Sequence, residues 1–212
     1  MSFGDAFKRP FQDFKSLLIG IVIMIIPIVN FIGMGYVLRC AKGPIRRDFK
    51  LPVWERWGDL FVKGIVSTVI GIIYMIPAMI VFALTVGFAL ITGGLTGALS
   101  GTTSLTTLLP MFATAGIGLI ATVVVAIIFG LLGNAAIIRY AEKETFGAAF
   151  EVGAIAKKAF TGTFFAAWLV GAIYFSILMA ILSMIPYIGT AIAAFIGYVT
   201  FITLTAEAYG KV

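Results

Sequence analysis

The sequence predicts an all-α fold, a polytopic integral membrane helical bundle with re-entrant or Pro-broken hairpins and interfacial amphipathic helices. Three observations predict it. Asp, Glu, Lys and Arg are absent from Ser16 to Leu38, from Gly64 to Ile138 and from Ala159 to Ala206, so every formal charge lies between or outside three apolar blocks. Of the 212 residues, 61% are hydrophobic and 11% are charged, a balance that does not suit a water-facing surface. Ile-Pro recurs once in each block, at Ile26-Pro27, Ile76-Pro77 and Ile185-Pro186. A spanning helix needs ~20 apolar residues, so the single membrane domain, residues 1–212, has room for about four or five crossings.

Residues 1–15 carry Phe3, Phe7, Phe11 and Phe14, which fall on one face of a helix, with Lys8, Arg9 and Lys15 off that face. The pattern reads as a helix lying in the membrane interface, or as a plain flank leading into a first span. Pro10 should kink or split it. The segment is not expected to be a signal peptide, because it holds Asp5 and Asp13 and no small-residue cleavage site closes the block that follows.

Block 16–38 can be a span or a re-entrant hairpin. Pro27 and Asn30 stand at its centre, where a straight span would leave polar groups needing partners in lipid. A turn there leaves two arms of about ten residues, ~15 Å each against a ~30 Å core. Basic segments lie on both sides of the block. The positive-inside tendency therefore favours a hairpin, which returns the chain to the side it left.

Segment 39–63 is basic and carries Pro44 and Pro52. Pro52 suits a helix start. Trp54, Trp57 and Phe61 follow at the spacing of one helical face, with indoles that favour headgroup depth. Block 64–138 must cross an even number of times. It is expected to form helices over Gly64–Thr92, kinked at Pro77, and Leu108–Ile138, joined by an outer loop at 93–107. Segment 139–158 is charged again, and Thr145 is a predicted N-cap. Block 159–206 reads as a second spanning hairpin that turns at Pro186.

Small residues recur at intervals of four in Gly93, Gly97 and Gly101, and again in Gly189, Ala193 and Gly197. Such ridges let helices approach closely in lipid, within one chain or between subunits. Asn30 and Asn134 are the amides inside the apolar blocks. Each suits an interhelical hydrogen bond or a polar path.

The chemistry is bounded by absences. There is no histidine and one cysteine, Cys40, so imidazole chemistry and an intrachain disulfide are excluded. No carboxylate stands inside a block to relay protons. The Gly-rich stretch 93–101 lacks the lysine of a phosphate loop. No catalytic residue, cofactor or metal site is expected. The net charge is +6. Because the basic residues sit beside apolar blocks, anionic lipid headgroups are the expected partners rather than nucleic acid, together with a homo-oligomer or a partner membrane subunit. The expected role is a non-catalytic structural or accessory membrane protein in the cell membrane, with charged face and termini cytoplasmic. The alternative is a passive channel or carrier for a small neutral or lipidic solute.

Three stretches carry a family resemblance. They are Ile26-Pro27-Ile28-Val29-Asn30-Phe31 with Gly35-Tyr36 and Arg39, then Leu51-Pro52-Val53-Trp54-Glu55-Arg56-Trp57-Gly58-Asp59-Leu60-Phe61, then Thr205-Ala206-Glu207-Ala208-Tyr209-Gly210. Together they resemble the prokaryotic multi-spanning family known as domain of unknown function 4013. The resemblance implies an integral membrane protein of a kind common in archaea. It implies no activity and no site residues.

Overall fold

The computed structural model describes residues 3–100 and 105–212. Among them are eight α-helices and no strand: α1 Phe3–Lys8, α2 Phe14–Ile25, α3 Asn30–Ile45, α4 Trp57–Ser100, α5 Leu105–Lys143, α6 Val152–Ala159, α7 Gly162–Leu182 and α8 Ile188–Lys211. Short 3-10 turns occupy Arg9–Phe11 and Phe146–Phe150. Four stretches are long and apolar enough to cross a membrane: Trp57–Leu95, Phe112–Lys143, Gly162–Leu182 and Ile188–Lys211.

The chain divides into two compact units, one of residues up to Gly71 with Leu131–Val212, the other Ile72–Gly130. In the first unit α8 is the centre. Helices α1, α2, α3 and α7 all pack on it. The most apolar window of α8 is 67% buried, against 11% for α7. Glycine makes a second close crossing. A Cβ on Gly35 would fall 1.9 Å from the Leu60 carbonyl oxygen, and one on Gly64 would fall 1.8 Å from that of Phe31. Only hydrogen fits between these backbones.

Local chemistry sets the helix starts. The Asp13 carboxylate caps α2, accepting from Lys15 N–H at 3.0 Å and the Ser16 hydroxyl at 2.6 Å. Thr161 caps α7, its hydroxyl accepting from Phe164 N–H at 3.3 Å. Pro10 falls in the 3-10 turn that separates α1 from α2. The two hairpins of this unit turn alike. Ile28 (φ 71°) follows Pro27, and Tyr187 (φ 61°) follows Pro186. At Tyr187, with ψ −61°, the Ile188 N–H reaches back to the Pro186 carbonyl at 2.7 Å, closing a γ-turn.

The second unit holds the remaining parts of α4 and α5, with no formal charge. Its two helices meet where a Cβ on Gly118 would lie 2.4 Å from Thr85 Cβ. Its threonines bond to their own helix, Thr85 to Val81 O and Thr122 to Gly118 O. Pro77 lies inside α4.

Three expectations need correction. The outer loop at 93–107 shrinks, because α4 continues to Ser100 and α5 begins at Leu105. Gly101 to Ser104 lie outside the described residues. The arms of the first hairpin, about ten residues each inside the block, extend past its edges as helices of 12 and 16 residues. Its turn also shares a ~460 Å³ cavity with the α7–α8 turn, between Met24, Ile25, Pro186 and Tyr187. Pro52 does not start a helix, because α4 begins at Trp57. The carbonyls just before α4 are held from α3: Tyr36 OH donates to Pro52 O at 2.9 Å and Arg39 to Glu55 O at 3.0 Å. Thr145 precedes a 3-10 turn and its side chain makes no capping bond.

Candidate functional site

The charged segments, far apart in sequence, meet in the first unit. Lys42 of α3 and Lys63 of α4 both reach the Glu144 carboxylate, at 2.5 and 2.7 Å, just past the end of α5. These two ammonium donors hold the Glu144 carboxyl down at about 2, from an ordinary 4.5. Asp59 bridges Arg39 at 3.3 Å and Lys63 at 3.2 Å. Arg139 pairs with Glu151, and Lys211 with Glu207 at 2.5 Å. Lys158 lies 4.1 Å over the Tyr209 ring and donates to the Tyr209 carbonyl at 3.0 Å.

Arg9 is the least expected member. It is fully buried, and its guanidinium donates to four oxygens: Cys40 O and Thr203 Oγ1 at 2.8 Å, Lys50 O at 3.0 Å and Phe49 O at 3.1 Å. No carboxylate lies within ion-pair distance among the described residues. The charge is held by oxygen dipoles, and burial lowers its pKa. The fork of five donors explains why arginine, not lysine, stands here. It ties the segment before α2 to α3, to the 46–56 connection and to α8. Sequence reasoning missed it. The available signal was slight: Arg9 stands beside Lys8 in a segment otherwise set by Phe7, Pro10 and Phe11. Cys40, also buried, has its thiol pushed up to about 12 by burial and is unsuited to nucleophilic chemistry.

The aromatic residues fall into two groups. Phe7 packs edge-on against Tyr174 of α7, ring centroids 4.8 Å apart. Trp54 lies flat on Tyr36 at 3.8 Å, its indole N–H buried without a partner. Phe61 meets Phe31 at 6.1 Å. Outward stand Phe11, Phe14 and Trp57, which are 55%, 70% and 45% exposed. Phe3 opens α1, and its side chain lies outside the described set. Trp54 therefore leaves the helical face on which its spacing put it with Trp57 and Phe61.

The remaining singled-out residues take these places. Asn30 begins α3 and Asn134 is buried in α5, each with a buried carbonyl oxygen lacking a partner. Neither lines a cavity described here. Pro27 and Pro186 sit in the two turns. A Cβ at Gly189 would fall 1.8 Å from Leu182 O and one at Gly197 would strike the Phe175 ring, while Ala193 is buried. That ridge is filled by contacts within the chain. Gly93 is half-buried, Gly97 has open space where a Cβ would stand, and Gly101 is outside the described residues.

One cavity joins the charged and aromatic features. It has a volume of ~470 Å³ and lies between the start of α2 and the 50–57 segment. Lys15, Lys50, Gln12 and Asp13 form its polar wall, and Ile19, Trp54 and Trp57 its apolar wall. Among the described residues no three Asp, Glu or Cys side chains cluster so as to hold a metal ion.

No curated protein and no solved structure matches this chain. Residues 18–187 match the family described as protein of unknown function (DUF4013). With most of the chain inside that match and four helices fit to cross a bilayer, it belongs to the DUF4013 family and is a multi-pass membrane protein.

Proposed function

We propose that this protein is a non-catalytic structural or accessory component of the cell membrane, acting through contacts with lipid or with a partner membrane subunit at its charged face. The observation that carries the reading is that α3, the start of α4 and the end of α5 meet in one network of ion pairs around Asp59 and Glu144, with the apolar blocks free of charge. Of the juxtamembrane carboxylates that an enzyme would recruit, Asp59, Glu144 and Glu151 are each occupied by lysine or arginine, while Glu142 makes no ion pair among the described residues. The net charge of +6 supports a cytoplasmic orientation for that face and an anionic lipid surface as its neighbour. Nucleic acid is not part of the reading.

Purification in mild detergent followed by native mass spectrometry tests it. Bound phospholipid or a stoichiometric membrane partner is the expected result. A bare protein with neither, or protein-dependent solute flux from reconstituted liposomes, would sink the reading. Flux would favour the passive channel, with the unpartnered oxygens of Asn30 and Asn134 as its polar points. Orientation is tested in a Cys40→Ser background. Tyr187→Cys is expected to react with an impermeant thiol reagent on intact cells, and Lys157→Cys only after lysis.

A further inference from the structure

We infer that the cavity between the start of α2 and the 50–57 segment is a binding site for one anionic phospholipid, taken by its phosphodiester headgroup. The inference deepens the reading of the charged face as a lipid-contacting surface and rests on it. Three observations converge. The first is size: ~470 Å³ is ample for a phosphodiester and its glycerol. The second is charge. Lys15 and Lys50 line the cavity, and neither ammonium makes an ion pair among the described residues. Most other cations nearby are spent: Arg9 on four oxygens, Arg39 on Asp59, Lys42 and Lys63 on Glu144. The single carboxylate on the wall, Asp13, is committed to capping α2 and to the Ser16 hydroxyl.

The third observation is the gradient from polar to apolar. From Lys15 the same face of α2 continues through Ile19 to Val22, which is exposed, and the exposed Ile26 follows just past the helix end. Trp57 borders the other side of the cavity and is 45% exposed. A headgroup seated at the two lysines would lay an acyl chain along that stripe, with an indole at the boundary where indoles are favoured. Two lysines against one carboxylate suit a phosphodiester with one negative charge and a hydroxylated head, which is the chemistry of a phosphatidylglycerol. The carboxylate disfavours a doubly charged phosphomonoester. Free glycerol phosphate shares the anionic head but lacks the chain.

The test uses the full-length protein in nanodiscs of phosphatidylcholine, with Trp168→Phe removing the third tryptophan. Quenching of Trp54 and Trp57 by acyl-brominated phosphatidylglycerol is compared with quenching by acyl-brominated phosphatidylcholine. The expected preference for phosphatidylglycerol is about tenfold, the scale set by two lysines at an anionic headgroup. Lys15→Gln with Lys50→Gln should bring it to parity. Ile19→Trp, assayed by native mass spectrometry because it adds an indole, fills the cavity at constant charge and should also abolish retention of phosphatidylglycerol. Lys143→Gln with Lys157→Gln should leave the preference intact.

An unchanged preference in the Lys15/Lys50 variant, or an equal loss in the Lys143/Lys157 variant, would overturn the site in favour of diffuse surface charge. Displacement of the lipid by glycerol phosphate at the same concentration would overturn the lipid as the ligand. Lipid bound without any preference would end this inference and leave the broader reading standing. Solute flux through the reconstituted protein would end the broader reading.

Discussion

The α2–α3 and α7–α8 hairpins open with the same chemistry and end differently. Each turns at Ile-Pro and places a bulky residue at positive φ directly after the proline, Ile28 in one and Tyr187 in the other. Beyond the turn they diverge. Helix α7 is 21 residues long, apolar throughout and mostly outward, while its partner α8 is the most enclosed helix of its unit. Helices α2 and α3 are shorter, and the base of α3 is spent on polar contacts: Cys40 O to Arg9, Arg39 to Asp59 and Lys42 to Glu144. The two turns share this local chemistry, although Ile76-Pro77 lies inside α4 without a turn. What the arms do is decided by partners far away in sequence.

The strongest way to break the comparison is to cut the bond that joins the hairpins. Arg9→Ala removes the link between Cys40 of α3 and Thr203 of α8. It leaves buried acceptors unmet, each worth ~1–3 kcal/mol, so a loss of about 2–4 kcal/mol is expected. Equilibrium unfolding in mild micelles measures it. A loss below ~1 kcal/mol would show the hairpins to be held together by apolar packing alone.

A smaller effect separates the hairpins from each other. In Gly189→Ala the new methyl meets the Leu182 carbonyl, a rigid neighbour, and a cost of about 1–3 kcal/mol follows. In Gly33→Ala it meets the end of Met24, a flexible chain, and the gain of alanine in a helix offsets the shift to within ~0.5 kcal/mol. Equal costs at the two sites would remove the distinction between a tight and a yielding hairpin.

Acid should loosen the hold of Glu144 on α3 and α4. The Glu144 carboxyl sits at about 2 in the folded protein and ordinarily at 4.5. A depressed pKa contributes stability that is present above 4.5 and lost as pH falls from there toward 2. Glu144 is half exposed, so each of its lysine pairs is worth ~0–1 kcal/mol. Comparing the unfolding midpoint of Glu144→Gln with wild type from pH 6 to pH 3 tests this, since the difference should shrink as pH falls. A constant difference would assign the effect to packing.

The smallest effect probes what the hairpins share. Ile28→Gly and Tyr187→Gly relieve a backbone that costs ~1–2 kcal/mol for an L-residue, less the entropy glycine brings, so each is expected to gain about 0.5 kcal/mol. A gain at one turn and a loss at the other would mean that the two turns only look alike.

What was legible in the sequence was local. Charge-free blocks, Ile-Pro turns and the break at Pro10 all follow from residues acting on their own neighbourhood. Trp54 illustrates the limit. Its spacing from Trp57 and Phe61 fits a helical face, yet Tyr36 and Arg39 capture the adjoining carbonyls and draw the indole inward. Neither partner is visible at that position in the sequence. Thr203 is similar. A threonine in an apolar helix is expected to bond to its own backbone, and it does, to Val199 O at 2.5 Å. That it also accepts from Arg9, 194 residues away, is a tertiary fact. The candidate cavity was half legible. Its tryptophans, and the segment that carries Lys15, read as interfacial, but their meeting across the start of α2 was not visible.

The Arg9–Thr203 bond also sets an order of events during synthesis. Until α8 has been made, the guanidinium has no hydroxyl to reach and no enclosing bundle, and an arginine in that state stays with water. Docking of the Arg9 segment is therefore complete only once α8 is in place. Its docking is a closing step that reports completion. A chain lacking Thr203 would leave the Arg9 guanidinium with only the backbone oxygens of Cys40, Phe49 and Lys50.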